Sequence, residues 1–300
     1  MKQTLVIGST CADVIVQVPH LPTRGEDVEI FHQELRLGGC AYNVSSILRH
    51  FKIPCTLCSP VGTGIYGDFV RNELQKQGIP IFYYNANVPN GCCYCLVDDS
   101  GERSFLCEHG AEYLFDKNNF SSFDLQTVDS IFICGLELEE KTAPEEISFL
   151  EKCDKTIYFA PGPRICTLDK NLLERIFLLH PFLHLNETEA LSFTKTTSVK
   201  DAAFALYKKN SAPLVITLGS KGAFYFSSPN DFESVPAFKT VVKDTIGAGD
   251  AHFGSIIAGL KQKMPLKDAV LRANKVSAAI VGVKGSTLSK SEFKNIRESF

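Results

Sequence analysis

The chain has 300 residues, 44% hydrophobic and 22% charged, with a formal net charge of −3. That length supports one large domain or two modest ones with a sizeable core, and the near-neutral balance gives no basic field for nucleic acid or an anionic membrane. No stretch approaches the ~20 apolar residues of a membrane span, and Met1 to Gly8 read as a strand, not a secretory leader, so a cytoplasmic protein is expected.

Residues 5–7 form the first apolar run, followed by Gly8-Ser9-Thr10-Cys11-Ala12-Asp13. Open α/β sheets place ligands at the carboxyl ends of their strands. A carboxylate there accepts two hydrogen bonds from neighbouring hydroxyls, as a polyol requires; a solvated turn aspartate is the alternative. Gly38-Gly39-Cys40-Ala41-Tyr42-Asn43 opens a helix predicted over residues 41–51. Paired glycines let a ligand touch backbone, and Asn43 in the first turn can donate and accept. A strand-to-helix loop needing positive φ explains the glycines equally well. After a strand over 56–61 comes Gly62-Thr63-Gly64-Ile65-Tyr66-Gly67 and a helix over 68–77, a literal G-x-G-x-x-G. A dinucleotide site wants an acid ~20 residues further on, and residues 81–90 offer none.

Two regions, 14–35 and 81–108, alternate apolar and polar residues with no helix between, the second with turns at Asn90-Gly91 and Asp98-Asp99-Ser100-Gly101. They predict one small antiparallel sheet, and a sheet with no helices of its own must cover something. We read it as a lid (residues 14–35 and 81–108) on a core of 1–13, 36–80 and 109–300. Tyr94 or Cys92 would reach a ligand from above, according to which face points inward. The eleven cysteines lie mostly in apolar runs without zinc-finger spacing; even Cys55-Thr56-Leu57-Cys58 sits in a strand, so they read as reduced, structural thiols.

Apolar runs at 130–134, 156–159, 182–185 and 214–217 alternate with amphipathic stretches at 143–153, 170–179 and 199–208, and helices follow at 249–261 and 266–281. This rhythm predicts an α/β fold with a doubly wound, mainly parallel sheet. Asn186-Glu187-Thr188-Glu189 starts a helix, its two ends one turn apart. Oxygen ligands so placed can hold magnesium through its water shell; a capping box has the same spacing, and the readings are compatible. Thr217-Leu218-Gly219-Ser220-Lys221-Gly222 frees backbone amides for phosphate without being a P-loop. Most telling is Asp244-Thr245-Ile246-Gly247-Ala248-Gly249-Asp250. Its glycines bare N–H groups at a helix N-terminus, and an acid follows at once. A base beside an anion hole suits phosphoryl transfer to an alcohol; an ordinary turn with Asp as N-cap is the alternative.

In order and approximate spacing, these motifs resemble the ribokinase-like (PfkB) carbohydrate kinases over nearly the whole chain. The resemblance implies a ribokinase-like core with a β-sheet lid that often doubles as a dimer interface, hence a homodimer. It implies Asp250 as catalytic base and Gly247, Ala248 and Gly249 as anion hole. Asp13, Gly38, Gly39 and Asn43 would hold the sugar. Asn186 and Glu189 would organise Mg2+, and Asn186, Thr217, Gly219, Ser220 and Gly222 would flank the nucleotide, with Asn274 near the adenine. A monovalent cation, typically potassium, would sit on Asp244, Ile246, Ile280, Val283, Gly285 and Ser289. Gly110-Ala111-Glu112 and Ala160-Pro161-Gly162-Pro163-Arg164 depart from common family patterns near the acceptor, as do Cys40 and Tyr42. The expected activity is ATP-dependent phosphorylation of a hydroxymethyl group on a sugar or sugar-like molecule. A nucleoside kinase and a catalytically silent sugar-binding sensor are the alternatives; an intact Asp250 with both glycines argues against silence.

Overall fold

Side-chain alternation decides the architecture. In β1 (Gln3–Ile7) Val6 joins one apolar cluster while Leu5 and Ile7 join another, and all three are fully buried. In β9 (Val128–Cys134) Phe132 and Cys134 go with Val6, whereas Ile131 and Ile133 go with Leu5. Strands apolar on both faces must be covered on both. The computed structural model, which describes residues 2–99, 103–115, 119–120 and 123–297 (Arg297 by its backbone alone), shows how.

Helices α1 (Cys40–His50), α2 (Gly64–Lys76), α7 (Ala248–Lys261) and α8 (Leu266–Val281) pack against the Val6 side. The Leu5 side is covered by α3 (Ala143–Glu151), α4 (Lys170–Phe177), α5 (Glu187–Thr194) and α6 (Val199–Asn210). A last helix, α9 (Lys290–Arg297), inserts Phe293 into the Val6 cluster.

Between these layers lie β4 (Cys55–Cys58), β10 (Thr156–Ala160), β11 (Phe182–Asn186), β12 (Leu214–Thr217), β13 (Ala223–Ser228) and β14 (Asp231–Val235). Among the described residues the sheet order is β14-β13-β12-β11-β10-β9-β1-β4. It is parallel from β12 to β4, with an antiparallel hairpin, β13–β14, at one edge. The doubly wound, mainly parallel expectation holds. The strand predicted over 56–61 is two: β4 stops at Cys58, and β5 (Pro60–Thr63) pairs with β6 (Tyr83–Pro89) in a separate two-stranded sheet. Pro60 has no N–H with which to extend the β4 ladder.

The small sheet has the order β3-β2-β7-β8, from β2 (Cys11–Gln17), β3 (His32–Gly38), β7 (Cys92–Val97) and β8 (Arg103–Glu108). Its outer pairs are antiparallel, and β2 meets β7 in parallel where the two insertions join. Register places Arg36, Asp13, Cys93 and Cys107 in one row, and Leu35, Val14, Tyr94 and Leu106 in the next, on the opposite face. Cys92 and Tyr94 therefore do not share Asp13's face, contrary to the expectation that one of them reaches a ligand there. They lie on the side that packs on Tyr66 and Phe69 of α2, and Tyr94 Oη sits 2.8 Å from Tyr66 Oη. Of the turn expected at Asp98-Asp99-Ser100-Gly101, Ser100 and Gly101 lie outside the described residues.

Candidate active site

The site is assembled at the carboxyl ends of the parallel strands. Gly247, with φ of 71°, caps the N-terminus of α7; a Cβ there would press on Ser286, at 2.7 Å from its carbonyl oxygen and its Cβ. Glycine is thus required by both backbone and space. The N–H groups of Gly247, Gly249 and Asp250 have no acceptor among the described residues, whereas Ala248 N–H donates to Thr245 O at 3.3 Å. Gly249 faces open space. Bare amides at the positive end of a 14-residue helix suit an anion.

Asp250 is the acid of that first turn. Burial drives its carboxyl up to about 7; the amide of Asn43 pulls it down, and the charges of Asp13 and Glu137 push it further up. Asn43 Nδ2 donates to Asp250 Oδ2 at 2.9 Å, while its Oδ1 is buried without a partner. Asn43 stands in the first turn of α1, which Gly39 caps. Asp13 lies in β2 with its carboxylate over Gly38, where a Cβ would collide with it. Its pKa is raised to about 6 by burial, partly relieved by a hydrogen bond from Cys11 Sγ. Asp13, Gly38, Gly39, Asn43 and Asp250 are thus brought together from four elements, β2, β3, α1 and α7.

Two clefts meet here. The larger, about 610 Å³, is lined by Thr217, Gly219, Ser220, Gly222, Ala248 and Asn274 and by the 237–240 segment. The smaller, about 230 Å³, is lined by Asn186, Glu189, Arg164, Cys40, Cys134 and Asp250. Thr217 and Gly249 belong to both. Asn186 and Thr217 are register partners at the ends of β11 and β12, so strand pairing sets them side by side.

Asn186 and Glu189 form a capping box: Asn186 Oδ1 accepts from Glu189 N–H at 2.8 Å, and Glu189 Oε2 accepts from Asn186 N–H at 2.9 Å. The Glu189 carboxylate, its pKa raised by burial, still faces the smaller cleft. Such oxygens fit a hard divalent cation held through water. Asn274 is spent differently. Its Nδ2 donates to the carbonyls of Val235 and Pro236, and its Oδ1 lies 2.9 Å from His252 Nε2, which leaves neither donor for a ligand.

The residues expected to hold a monovalent cation fit one poorly. Asp244 is buried, and its Oδ1 accepts from Ile246 N–H and its Oδ2 from Gly285 N–H, each at 2.8 Å. Arg103 of β8 brings Nη2 within 3.0 Å of the same Oδ1. Ile280 O accepts from Val283 N–H, and Ser289 caps α9 through Glu292. The carboxylate already has its counter-charge.

Two departures noted in the sequence have structural work. Glu112 accepts from the N–H groups of Gly91 and Gly110 at 2.8 and 3.1 Å, tying two loops together. Arg164 is paired with Glu139 at 2.9 Å in the wall of the smaller cleft. Gly62 and Gly67 of the G-x-G-x-x-G are packed against backbone, Gly62 on Val88 O and Asn90 N, so the motif joins α2 to β5 and leaves no room for a pyrophosphate. The sequence reading missed Arg103, Glu137 and the 237–240 segment; only tertiary contact reveals them.

Residues 1–292 match the profile of the pfkB family carbohydrate kinases. An uncharacterized sugar kinase of Escherichia coli (strain K12), YegV, is 34% identical over 290 residues, covering 95% of this chain and 90% of its own. Deoxyribokinase of Salmonella typhi is 26% identical over 303 residues, covering 98% and 97%. The crystal structure of ribokinase from Thermotoga maritima superposes with a TM-score of 0.84 at 21% identity, covering 99% of this chain and 100% of its own. The chain belongs to the pfkB family of carbohydrate kinases, phosphotransferases with an alcohol group as acceptor.

Proposed function

We propose that this member of the family transfers the γ-phosphoryl group of ATP to a hydroxymethyl group of a sugar or sugar-like acceptor. One observation carries the reading: Asp250, with a pKa near 7, sits beside unpaired helix N-terminal amides where two clefts meet. The larger cleft takes the nucleotide, its phosphates against the Gly219-Ser220 turn and the start of α7. Asp13 and Asn43 orient the acceptor, and the buried, unpartnered Asn43 Oδ1 is the amide's remaining hydrogen-bond acceptor for one of its hydroxyls. Asp250 removes the proton of the attacking hydroxyl as that oxygen bonds to the γ-phosphorus, while the bond from the γ-phosphorus to the β–γ bridging oxygen breaks and ADP leaves with its electron pair. The amides of Gly247 and Gly249 hold developing charge. Magnesium brought by the nucleotide would rest through water on Glu189 and Asn186 and neutralise phosphate charge.

The small sheet acts as a lid: Asp13 belongs to β2, so closing the sheet completes the acceptor pocket and excludes water. Its other face, with Leu35, Tyr94 and Leu106 exposed in one row, forms the contact of a homodimer. The testing experiment is ADP release with magnesium and ATP over a panel of pentoses, hexoses, deoxy sugars and nucleosides. Turnover with one sugar class supports the reading, turnover confined to nucleosides replaces the acceptor, and saturable sugar binding without ADP release would leave a sensor.

A further inference from the structure

We propose that Arg103 supplies from the small sheet the positive charge that a bound monovalent cation would otherwise place beside the 244–249 turn. It is thus a positioning residue, and the enzyme works without potassium. The inference rests on the kinase reading above and deepens it.

Asp244 is 4% exposed and Arg103 13%, so the pair is largely shielded from water and salt. Both Asp244 oxygens also hold backbone N–H groups, of Ile246 on the near side and Gly285 on the far side. Those two bonds pin the turn ending at Gly247, the residue that begins α7 and bares its amides. Removing the guanidinium leaves a buried, uncompensated carboxylate two residues from that pinned turn. A second arginine of the same sheet, Arg36, donates to Lys284 O and fills the space against Gly285. Arg36 lies on β3 and Arg103 on β8, the two outer strands, so both edges of the small sheet grip the loops expected to hold potassium. Asp244 belongs to the core and Arg103 to the sheet, so the pair forms only when the sheet is seated. Seating the sheet and setting the amides for phosphate are one event.

The test compares wild type, Arg103→Ala and Arg103→Lys in potassium, sodium and tetramethylammonium chloride at constant ionic strength. The readouts are initial rate and thermal unfolding. Wild-type kcat should agree within about twofold across the salts. Arg103→Ala should lose at least about tenfold in kcat with a smaller change in KM for the acceptor, and Arg103→Lys should keep part of it. Potassium or guanidinium should restore Arg103→Ala and raise its Tm, with no such effect on wild type. Potassium activation of wild type, or an Arg103→Ala enzyme with unchanged kcat, would overturn the proposal. Should wild type phosphorylate no acceptor, the kinase reading fails separately, and the melting comparison still decides whether arginine occupies the cation's place.

Discussion

The side-chain amide of Asn43 donates to Oδ2 of Asp250 across 2.9 Å, tying the first turn of α1 to the first turn of α7. One hydrogen bond thereby fixes the carboxylate's orientation and favours its charged form, while burial, Asp13 and Glu137 oppose it. The compromise, near 7, suits a group that must gain and release a proton at neutral pH.

Replacing Asp250 by Asn keeps shape and removes the proposed base. We expect kcat to fall by roughly 10²–10⁴ while ATP binds within a few-fold of wild type. Stability should move the other way. The native pKa of Asp250 lies above the ordinary carboxylate value, so its contribution is favourable at low pH and is lost as pH rises through about 7. At pH 8 the charged, buried group costs the native state at most about 4 kcal/mol. Asp250→Asn should therefore melt above wild type at pH 8, the gap narrowing below pH 7 and closing toward pH 4. Near-normal turnover would remove Asp250 from the chemistry, and a lower Tm at pH 8 would contradict the cost assigned to its buried charge.

The same titration shapes the rate. With the proposed base ionising near 7, kcat/KM should be flat above pH 8 and fall about tenfold per pH unit well below 7. Asp13, raised to about 6, adds a second loss below pH 6 and steepens the limb, the two carboxyls titrating as a coupled pair. Asn43→Ala deletes a bond that favours the anion and should move the acid limb to higher pH. A profile flat from pH 5.5 to 9, with chemistry shown to be rate-limiting, contradicts this assignment.

Two glycines of one motif should fail in different ways. A Cβ at Gly247 meets Ser286 from a positive φ, so Gly247→Ala should lower both Tm and kcat. A Cβ at Gly249 meets nothing, so Gly249→Ala should fold as wild type. Its methyl instead enters the space shared by the two clefts, and turnover should drop about tenfold or more with Tm unchanged. Circular-dichroism melts beside initial rates separate the two cases; equal behaviour would mean that Gly249 does not border the reacting phosphate.

Legibility followed sequence distance. The parallel sheet could be read from runs such as residues 130–134 because each strand carries its own apolar pattern. The Asp244–Asp250 motif could be read because helix start, bare amides and acid are consecutive. Asn186–Glu189 was legible only as an ambiguity, since a capping box and a metal-organising pair share one spacing. What faces Asp13 was not legible: parity along β7 shows two faces, but only its register with β2 puts Cys93 beside Asp13 and turns Tyr94 away. Arg103 and Asp244 meet without any local signal in either segment, so their pairing could not be read from the sequence.

The face of the small sheet opposite Asp13 yields the last prediction. Leu35, Tyr94 and Leu106 are 44%, 37% and 62% exposed, and they line up across three strands on either side of the buried Val14. Ile65, 76% exposed on α2, adjoins Tyr66, whose hydroxyl pairs with Tyr94. Scattered apolar residues on a surface need no explanation, but Tyr94 and Leu106 are neighbours on paired strands with Leu35 in the same row, and such a group invites a partner. In the proposed homodimer a second copy would meet it with the same residues about a two-fold axis. Sedimentation velocity at micromolar concentration should give a dimer for wild type. Leu106→Asp, which sets a charge in the row's most exposed position, should shift it to monomer. The carboxylate points away from Asp13, so phosphorylation of a saturating acceptor should persist in the monomer to within a few-fold, with acceptor KM raised if pairing helps to seat the lid. A wild-type monomer across the micromolar range would assign the row to no homodimer and leave each lid to close on its own core.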